Sequence, residues 1–176
     1  MKRRDFLKNI GVAGLATFLA SSPWISALSE SEHTQKEKIR LAIIGAGSRA
    51  RHLSRFLTQN PRVEIAVLCD IYQPSIDSTL KLVPGAKVCM DYRKVLDDKS
   101  IDAVVIATPL NSHYPIAMDA FDAGKHVFCE KAMARTLDEC KAIYDTYNQS
   151  EKVLYFCMQR MYDEKYIKGM QMIHSG

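Results

Sequence analysis

The sequence predicts a doubly wound α/β domain built on a parallel sheet, and two observations carry this prediction. From residue 39 onward, short apolar segments rich in β-branched residues alternate with segments of helical periodicity. The apolar segments are continuous rather than alternating, which is typical of parallel strands covered by helices on both faces. The predicted strands are IRLAII, VEIAVLCD, AKVCM, DAVVIAT, HVFCE and VLYFCM, and the predicted helices between them cover residues 49–60, 75–83, 92–97, 114–123 and 137–149.

The last of these helices has a clear start signal. Thr136 followed by Glu139 three residues later fits a capping box, in which each side chain hydrogen-bonds the other residue's backbone. The segment MQRMYDEKYIKGMQMIHSG after the sixth strand again has a helical pattern. We expect a further helix there.

Composition sets the broad class and excludes some functions. With 176 residues, 47% hydrophobic and 25% charged, the chain suits one soluble domain. The net charge is +4, but the first eight residues carry +3 of it, so the rest does not indicate nucleic-acid binding. The five cysteines lack metal-ligand spacing, and four fall in or beside predicted strands. We expect reduced, buried thiols, no structural disulfide and no metal site.

The N-terminal segment has the features of an export signal. The sequence MKRRDFLKNIGVAGLATFLASS places basic residues before an apolar run, residues 10–20, that is too short to span a bilayer. Arg3 and Arg4 resemble the twin-arginine signal. We expect a signal peptide over residues 1–29, a polar tail over 30–38, contact with the twin-arginine export machinery, a bacterial periplasmic location and no stable membrane anchor. An amphipathic surface helix is the alternative, although the basic and apolar residues are segregated in blocks.

The first predicted strand leads into a glycine-rich turn. The residues GAGSRA, followed by a helix, match the G-x-G-x-x-G/A pattern of dinucleotide-binding sites in its strand–turn–helix context. Gly45 allows the tight turn, Gly47 lets the backbone approach a pyrophosphate, and Ala50 lets the helix pack on the strand. Ser48 and Arg49 can add contacts to the phosphates, beside the amides at the helix N-terminus.

An acidic residue follows at the distance that a ribose-binding group requires. Asp70 ends the second predicted strand, twenty residues after Ala50. A carboxylate there accepts hydrogen bonds from the ribose hydroxyls and repels a 2′-phosphate, which favours NAD over NADP. Arg49 leaves some room for NADP. The alternative is an ordinary glycine turn with a solvated aspartate.

Further polar residues follow the fourth and fifth strands. The carboxyl ends of parallel strands lie along one edge of a doubly wound sheet, where ligands bind. Thr108 and Asn111 follow the fourth strand and can hydrogen-bond a cofactor, while Lys131 follows the fifth strand. His113, beside an expected helix N-cap at Ser112, has either a local structural role or a site role.

These residues also carry a family resemblance. TPLNSHYPIAMDAFDAGKHVFCEKA, with the glycine loop and MQRMYDEKY, resembles the N-terminal half of the Gfo/Idh/MocA oxidoreductases, which carry TP-x-x-x-H and AGKHV-x-x-EKP. The resemblance implies a Rossmann fold and places Lys131 beside the nicotinamide and substrate, as the catalytic residue. It implies cofactor-binding roles for Gly45, Gly47, Asp70, Thr108, Asn111, His113, Glu130 and Arg160.

The chain departs from the family pattern in two ways. Ala132 stands where the family has proline, so the backbone after Lys131 is expected to be less restricted. The family's second α/β domain is expected to be missing, with residues 39–158 forming the dinucleotide-binding domain and 159–176 the start of a linker or helix into it. The resemblance implies a homo-oligomer for the full-length protein, and we expect the 176 residues alone to be inactive.

The sequence is compatible with three functions. The first is an exported NAD-dependent oxidoreductase acting on a sugar, cyclitol or related polyol, with tightly bound cofactor because free NAD is scarce outside the cytoplasm. The second is an NAD-dependent glycoside hydrolase that resembles the family's N-acetylgalactosaminidases and uses transient oxidation. The third is a non-catalytic dinucleotide-binding module.

Overall fold

A computed structural model describes residues 38–158 and 163–175. The six strands are β1 Ile39–Ile44, β2 Val63–Cys69, β3 Lys87–Cys89, β4 Ala103–Ile106, β5 His126–Glu130 and β6 Leu154–Cys157. The α-helices within the described ranges are α1 Ser48–Leu57, α2 Gln73–Leu80, α3 Tyr92–Asp97, α4 His113–Asp122, α5 Leu137–Gln149 and α6 Glu164–His174. A 3₁₀ turn, Leu110–Ser112, precedes α4. The expected signal peptide lies outside the described residues.

The strands form one parallel sheet in the order β3-β2-β1-β4-β5-β6. This order confirms the predicted doubly wound fold. Successive strands are added to one side of β1 as far as β3 and to its other side from β4 onward. This switch point between β1 and β4 opens a crevice at the carboxyl ends of the two strands. Each predicted strand and helix is present, with end positions that differ by a few residues.

Successive side chains of each strand point to opposite faces of the sheet, and helices cover both faces. On one face, Ala42 and Ile44 join the cluster that includes residues of α3, α4 and α5. On the other face, Leu41 and Ile43 join the cluster that includes residues of α1 and α2. The strands therefore read as continuous apolar segments.

Two helix starts test the predicted caps. The capping box of α5 is confirmed: the Glu139 amide donates to Thr136 Oγ1 over 3.2 Å, and the Thr136 amide donates to Glu139 Oε2 over 3.3 Å. Ser112 is the N-cap residue of α4, as expected, but its hydroxyl does not cap the helix. It donates instead to the Pro109 carbonyl oxygen over 2.8 Å, because that oxygen lies within the same 3₁₀ turn.

All five cysteines are free thiols. Cys69 and Cys129 are buried, as predicted, whereas Cys89 and Cys157 are only partly buried, because they end the edge strands β3 and β6. Burial raises the pKa of Cys69 and of Cys129 to about 12 in each case, so both remain protonated near neutral pH. No group of three potential metal-ligating residues occurs within residues 38–158 and 163–175. Within the same residues, no helix has the length and apolarity needed to cross a membrane.

Candidate active site

The carboxyl edge of the sheet carries two adjoining pockets. The larger is a cleft of about 910 Å³, whose lining includes seven residues predicted from sequence: Gly45, Gly47, Ser48, Arg49, Asp70, Thr108 and Asn111. The smaller pocket has a volume of about 430 Å³ and is lined by Arg49, Ala107, Thr108, Glu130 and Lys131. Three of these residues line both pockets, so a ligand in the cleft would lie next to the Lys131 pocket.

The glycine loop between β1 and α1 has no room for a side chain at its first glycine. Gly45 has a φ of 91°, and a Cβ there would come within 2.7 Å of backbone atoms of Ala107 and Thr108. A Cβ on Gly47, by contrast, would meet no atom within 4 Å. Ala50 is fully buried and packs α1 against the sheet. The loop therefore has the close packing on one side and the open approach on the other that a bound pyrophosphate requires.

Asp70 is oriented by backbone amides on both sides of its carboxylate. The Ala46 amide donates to Oδ2 over 2.7 Å, and the Tyr72 amide donates to Oδ1 over 2.9 Å. A carboxylate oxygen can accept more than one hydrogen bond, so both oxygens retain acceptor capacity. The side chain lines the cleft and is positioned at the end of β2, where a ribose would lie.

Thr108 offers the cleft a buried hydroxyl. Its Oγ1 atom has no hydrogen-bond partner among residues 38–158 and 163–175, although it is shielded from solvent. A buried polar atom without a partner is costly, and a ligand in either adjoining pocket could provide one. Asn111 lies nearby on the exposed 3₁₀ turn and lines the cleft.

Glu130 is buried and forms an ion pair with Arg49. The Arg49 Nε atom donates to Glu130 Oε1 over 2.5 Å, and Arg49 also donates to the Cys157 sulfur over 3.3 Å. Burial alone lowers the pKa of Arg49, but the hydrogen bonds and charges of Glu130 and Cys157 together outweigh burial, so the pKa is raised. The guanidinium is thus engaged at the Lys131 end of the cleft rather than beside Asp70.

Lys131 is exposed at the mouth of the smaller pocket. Its Nζ atom forms no hydrogen bond or ion pair with any other residue that the structure describes. Because it has no such partner, the Lys131 ammonium group is free to contact a ligand. The peptide bond between Lys131 and Ala132 is cis.

His113 supports this site from beneath. The residue is 1% exposed, and its ring nitrogens lie 2.8 Å from the Ala132 carbonyl oxygen and 2.9 Å from the Thr108 carbonyl oxygen. One ring thus joins the segments that follow β4 and β5. The structure places His113 in this supporting position and not in the lining of either pocket. The contact between the His113 ring and the Ala132 carbonyl also holds the backbone at Ala132, where the family pattern has proline. Arg160, the remaining predicted site residue, lies outside the described residues.

The residues present fit a dinucleotide. The first-turn amides of α1 and the open space at Gly47 suit a pyrophosphate, and the Asp70 carboxylate suits ribose hydroxyls. The Thr108 hydroxyl, without a partner in the described part of the chain, is available to the same ligand. Sequence reasoning missed two contributors: Thr79, which contacts the glycine loop, and Cys157, which contacts Arg49. Neither has a local sequence signal, because each contact joins distant parts of the chain.

Comparisons with known proteins agree with this geometry. The family model described as Gfo/Idh/MocA oxidoreductase family, NAD-binding Rossmann fold, matches residues 39–157. An alpha-N-acetylgalactosaminidase from Shewanella oneidensis is 29% identical over an alignment 197 positions long, which covers 99% of this chain and 43% of that protein.

Two solved structures are also similar. An NAD-binding protein from Listeria innocua shares 30% identity with a TM-score of 0.71, over 78% of this chain and 40% of that one. The myo-inositol dehydrogenase from Lactobacillus casei, in complex with NAD(H) and myo-inositol, shares 27% identity with a TM-score of 0.71, over 79% and 42%. The chain thus spans about two fifths of the length of these relatives. It belongs to the Gfo/Idh/MocA oxidoreductase family and carries that family's NAD-binding Rossmann domain.

Proposed function

We propose that the full-length protein uses NAD to oxidise a hydroxyl-bearing carbon of a sugar, cyclitol or related polyol. The observation that carries this proposal is the Lys131 ammonium, which has no partner among the described residues and lies in a pocket that shares three lining residues with the dinucleotide cleft. The related Lactobacillus casei dehydrogenase, solved with NAD(H) and myo-inositol, supports the choice of a polyol substrate.

The residues of this chain have distinct tasks in such a reaction. Bound NAD supplies the hydride acceptor. The α1 amides and Asp70 bind and orient the dinucleotide at one end of the cleft. At the other end, Lys131 Nζ donates a hydrogen bond to the reacting substrate oxygen and stabilises the negative charge that develops there as the substrate hydroxyl gives its proton to solvent water. His113 and the Arg49–Glu130 pair hold the backbone from which Lys131 extends.

NAD rather than NADP is the proposed cofactor. The Asp70 carboxylate would repel a 2′-phosphate. The sequence kept NADP open because Arg49 is a basic residue near the phosphate site. In the structure Arg49 is paired with Glu130 at the opposite end of the cleft from Asp70. Titration with both nucleotides tests this point: NADP affinity equal to NAD affinity would contradict it.

A second candidate is NAD-dependent glycoside hydrolysis. It is favoured by the alpha-N-acetylgalactosaminidase of Shewanella oneidensis, whose alignment covers 99% of this chain. The two candidates share the hydride step and differ in net outcome, because the hydrolase would return the hydride within each turnover. Purified full-length protein should therefore be assayed with a chromogenic N-acetyl-α-galactosaminide without added NAD, and separately with free polyols plus NAD.

The two assays separate the candidates. Chromophore release without added NAD supports the hydrolase, and NADH formation on a polyol supports the dehydrogenase. NAD binding with neither activity, across a panel of sugars, would contradict both and favour a non-catalytic binding module.

We also propose export by the twin-arginine route with the cofactor retained. The support is the arginine pair at positions 3 and 4, followed by a short apolar run. Replacing both arginines with lysine should leave the protein in the cytoplasm, as measured by cell fractionation. A wild-type protein found only in the cytoplasm, or one that loses all nucleotide during gel filtration, would contradict the respective part of this proposal.

A further inference from the structure

A threonine outside both pockets makes an unusual contact with the glycine loop. Thr79 lies on α2, is fully buried, and donates its hydroxyl hydrogen to the Ala46 carbonyl oxygen over 2.6 Å. The two residues are 33 positions apart in the chain. Ala46 is itself fully buried, so water does not reach this carbonyl and Thr79 supplies its partner.

The contact is not the bond that a helical threonine makes by default. Serine and threonine side chains within helices commonly hydrogen-bond the carbonyl four residues earlier. The preceding residue, Ser78, does this and donates to the Pro74 carbonyl oxygen over 2.8 Å. Thr79 instead extends away from its helix to the loop between β1 and α1. Its hydroxyl therefore stabilises tertiary structure rather than α2.

This contact fixes the direction of the next amide. The peptide group between Ala46 and Gly47 is planar and trans, so its carbonyl and its N–H point in opposite directions. Thr79 holds the carbonyl toward the core, which directs the Gly47 N–H away from it. That N–H has no acceptor among the described residues, and Gly47 lines the cleft. On its other side, Ala46 is held by Asp70, which accepts its N–H over 2.7 Å.

We propose that Thr79 is a positioning residue for the dinucleotide site. Its hydroxyl sets the plane of the Ala46–Gly47 peptide group, so that the Gly47 N–H is aimed at the pyrophosphate before the ligand binds. The proposal rests on NAD as the ligand. Thr79 and Asp70 then act together on Ala46, because Thr79 orients its carbonyl and Asp70 orients its N–H.

The test measures NAD and adenosine affinity of purified full-length Thr79→Val, Thr79→Ser and Ser78→Ala variants. Valine keeps the shape of threonine but removes the donor, so the Kd for NAD should rise about tenfold while the Kd for adenosine, which lacks phosphates, stays within about twofold. Serine keeps the donor and should bind NAD within about twofold of wild type. Ser78→Ala is the matched control, because its hydroxyl bonds only its own helix.

Several results would overturn the proposal. One is NAD affinity of Thr79→Val within twofold of wild type, and another is an equal loss of NAD and adenosine affinity, which would indicate general damage to the fold. If Thr79→Val does not fold, Thr79→Ala replaces it, and equal NAD affinity of Thr79→Ala and Thr79→Ser has the same meaning. Wild-type protein that fails to bind NAD would contradict the proposed function instead.

Discussion

The two ends of the cleft are built differently. At the glycine-loop end, Gly45 has no space for a side chain, Ala46 is held through both its N–H and its carbonyl, and Asp70 is fixed by two amides. At the other end, Lys131 is exposed, its ammonium has no partner among the described residues, and the pocket has only five lining residues. The glycine-loop end is therefore fixed by packing and hydrogen bonds, whereas the Lys131 end is open.

The strongest test of this division is the loss of the Lys131 ammonium. In full-length protein, Lys131→Met should lower kcat about 10²- to 10³-fold, the range for a lost acid–base or charge-stabilising group, while the Kd for NAD changes less than about threefold. Steady-state kinetics and NAD titration measure the two quantities. Lys141→Met is the control, because Lys141 is exposed and pairs only with Asp145 on its own helix. Unchanged kcat in Lys131→Met would remove Lys131 from the reaction.

Alanine substitutions at the two glycines of the loop should have different effects on stability and on NAD binding. Gly45→Ala forces a side chain into backbone atoms 2.7 Å away at a positive φ, so it should lower the free energy of unfolding by at least about 2 kcal/mol. Gly47→Ala places its methyl group in open space and should lower that free energy by less than about 1 kcal/mol. It should nevertheless weaken NAD binding about tenfold, because the methyl group occupies the approach of the pyrophosphate.

Urea unfolding and NAD titration of these two variants check the comparison. Equal losses of stability in both would contradict the distinction between a packed and an open glycine. Full NAD affinity in Gly47→Ala would place the pyrophosphate elsewhere.

His113 links the two ends, and its removal should act mainly on the Lys131 end. His113→Phe keeps a ring but removes the two nitrogens that lie within 2.9 Å of the Thr108 and Ala132 carbonyl oxygens, so at least one hydrogen bond is lost, which should cost about 1–3 kcal/mol of stability. Displacement of the Lys131 backbone should lower kcat about tenfold with little change in the Kd for NAD. His52→Phe is the control, since His52 is exposed on α1. A loss of NAD affinity as large as the loss of kcat would place His113 in the dinucleotide half.

The buried thiols of β2 and β5 should make stability depend on pH. Burial raises the pKa of Cys69 and of Cys129 from 9.0 to about 12. The unfolded chain therefore ionises these thiols first, so stability is intact below about pH 9 and falls as pH rises toward about 12. Each thiol should cost about 1.4 kcal/mol per pH unit within that interval.

Urea unfolding at pH 8 and pH 10 measures this slope. The Cys69→Ala and Cys129→Ala variants should each show a shallower decline than wild type. An identical decline in wild type and both variants would show that other groups cause it.

The sequence was sufficient for the parts of the site that depend on chain direction. A glycine turn, Asp70 and Lys131 each follow a predicted parallel strand, and parallel strands bring their carboxyl ends to one edge. The supporting contacts were not predictable. The Arg49–Glu130 pair joins residues 81 positions apart and the Thr79–Ala46 bond joins residues 33 positions apart, so neither has a local pattern. The supporting position of His113 likewise depends on the segment after β5, which a local reading of α4 does not include.

A dinucleotide site at the carboxyl edge is tested most directly by identifying the nucleotide that the full-length protein carries. The protein should be purified without added cofactor and denatured, and the released small molecules identified and quantified by chromatography and mass spectrometry. We expect NAD, close to one per chain. NADP in its place would contradict the role given to Asp70. No released nucleotide, together with no binding of added NAD, would contradict the assignment of the carboxyl edge as a working dinucleotide site.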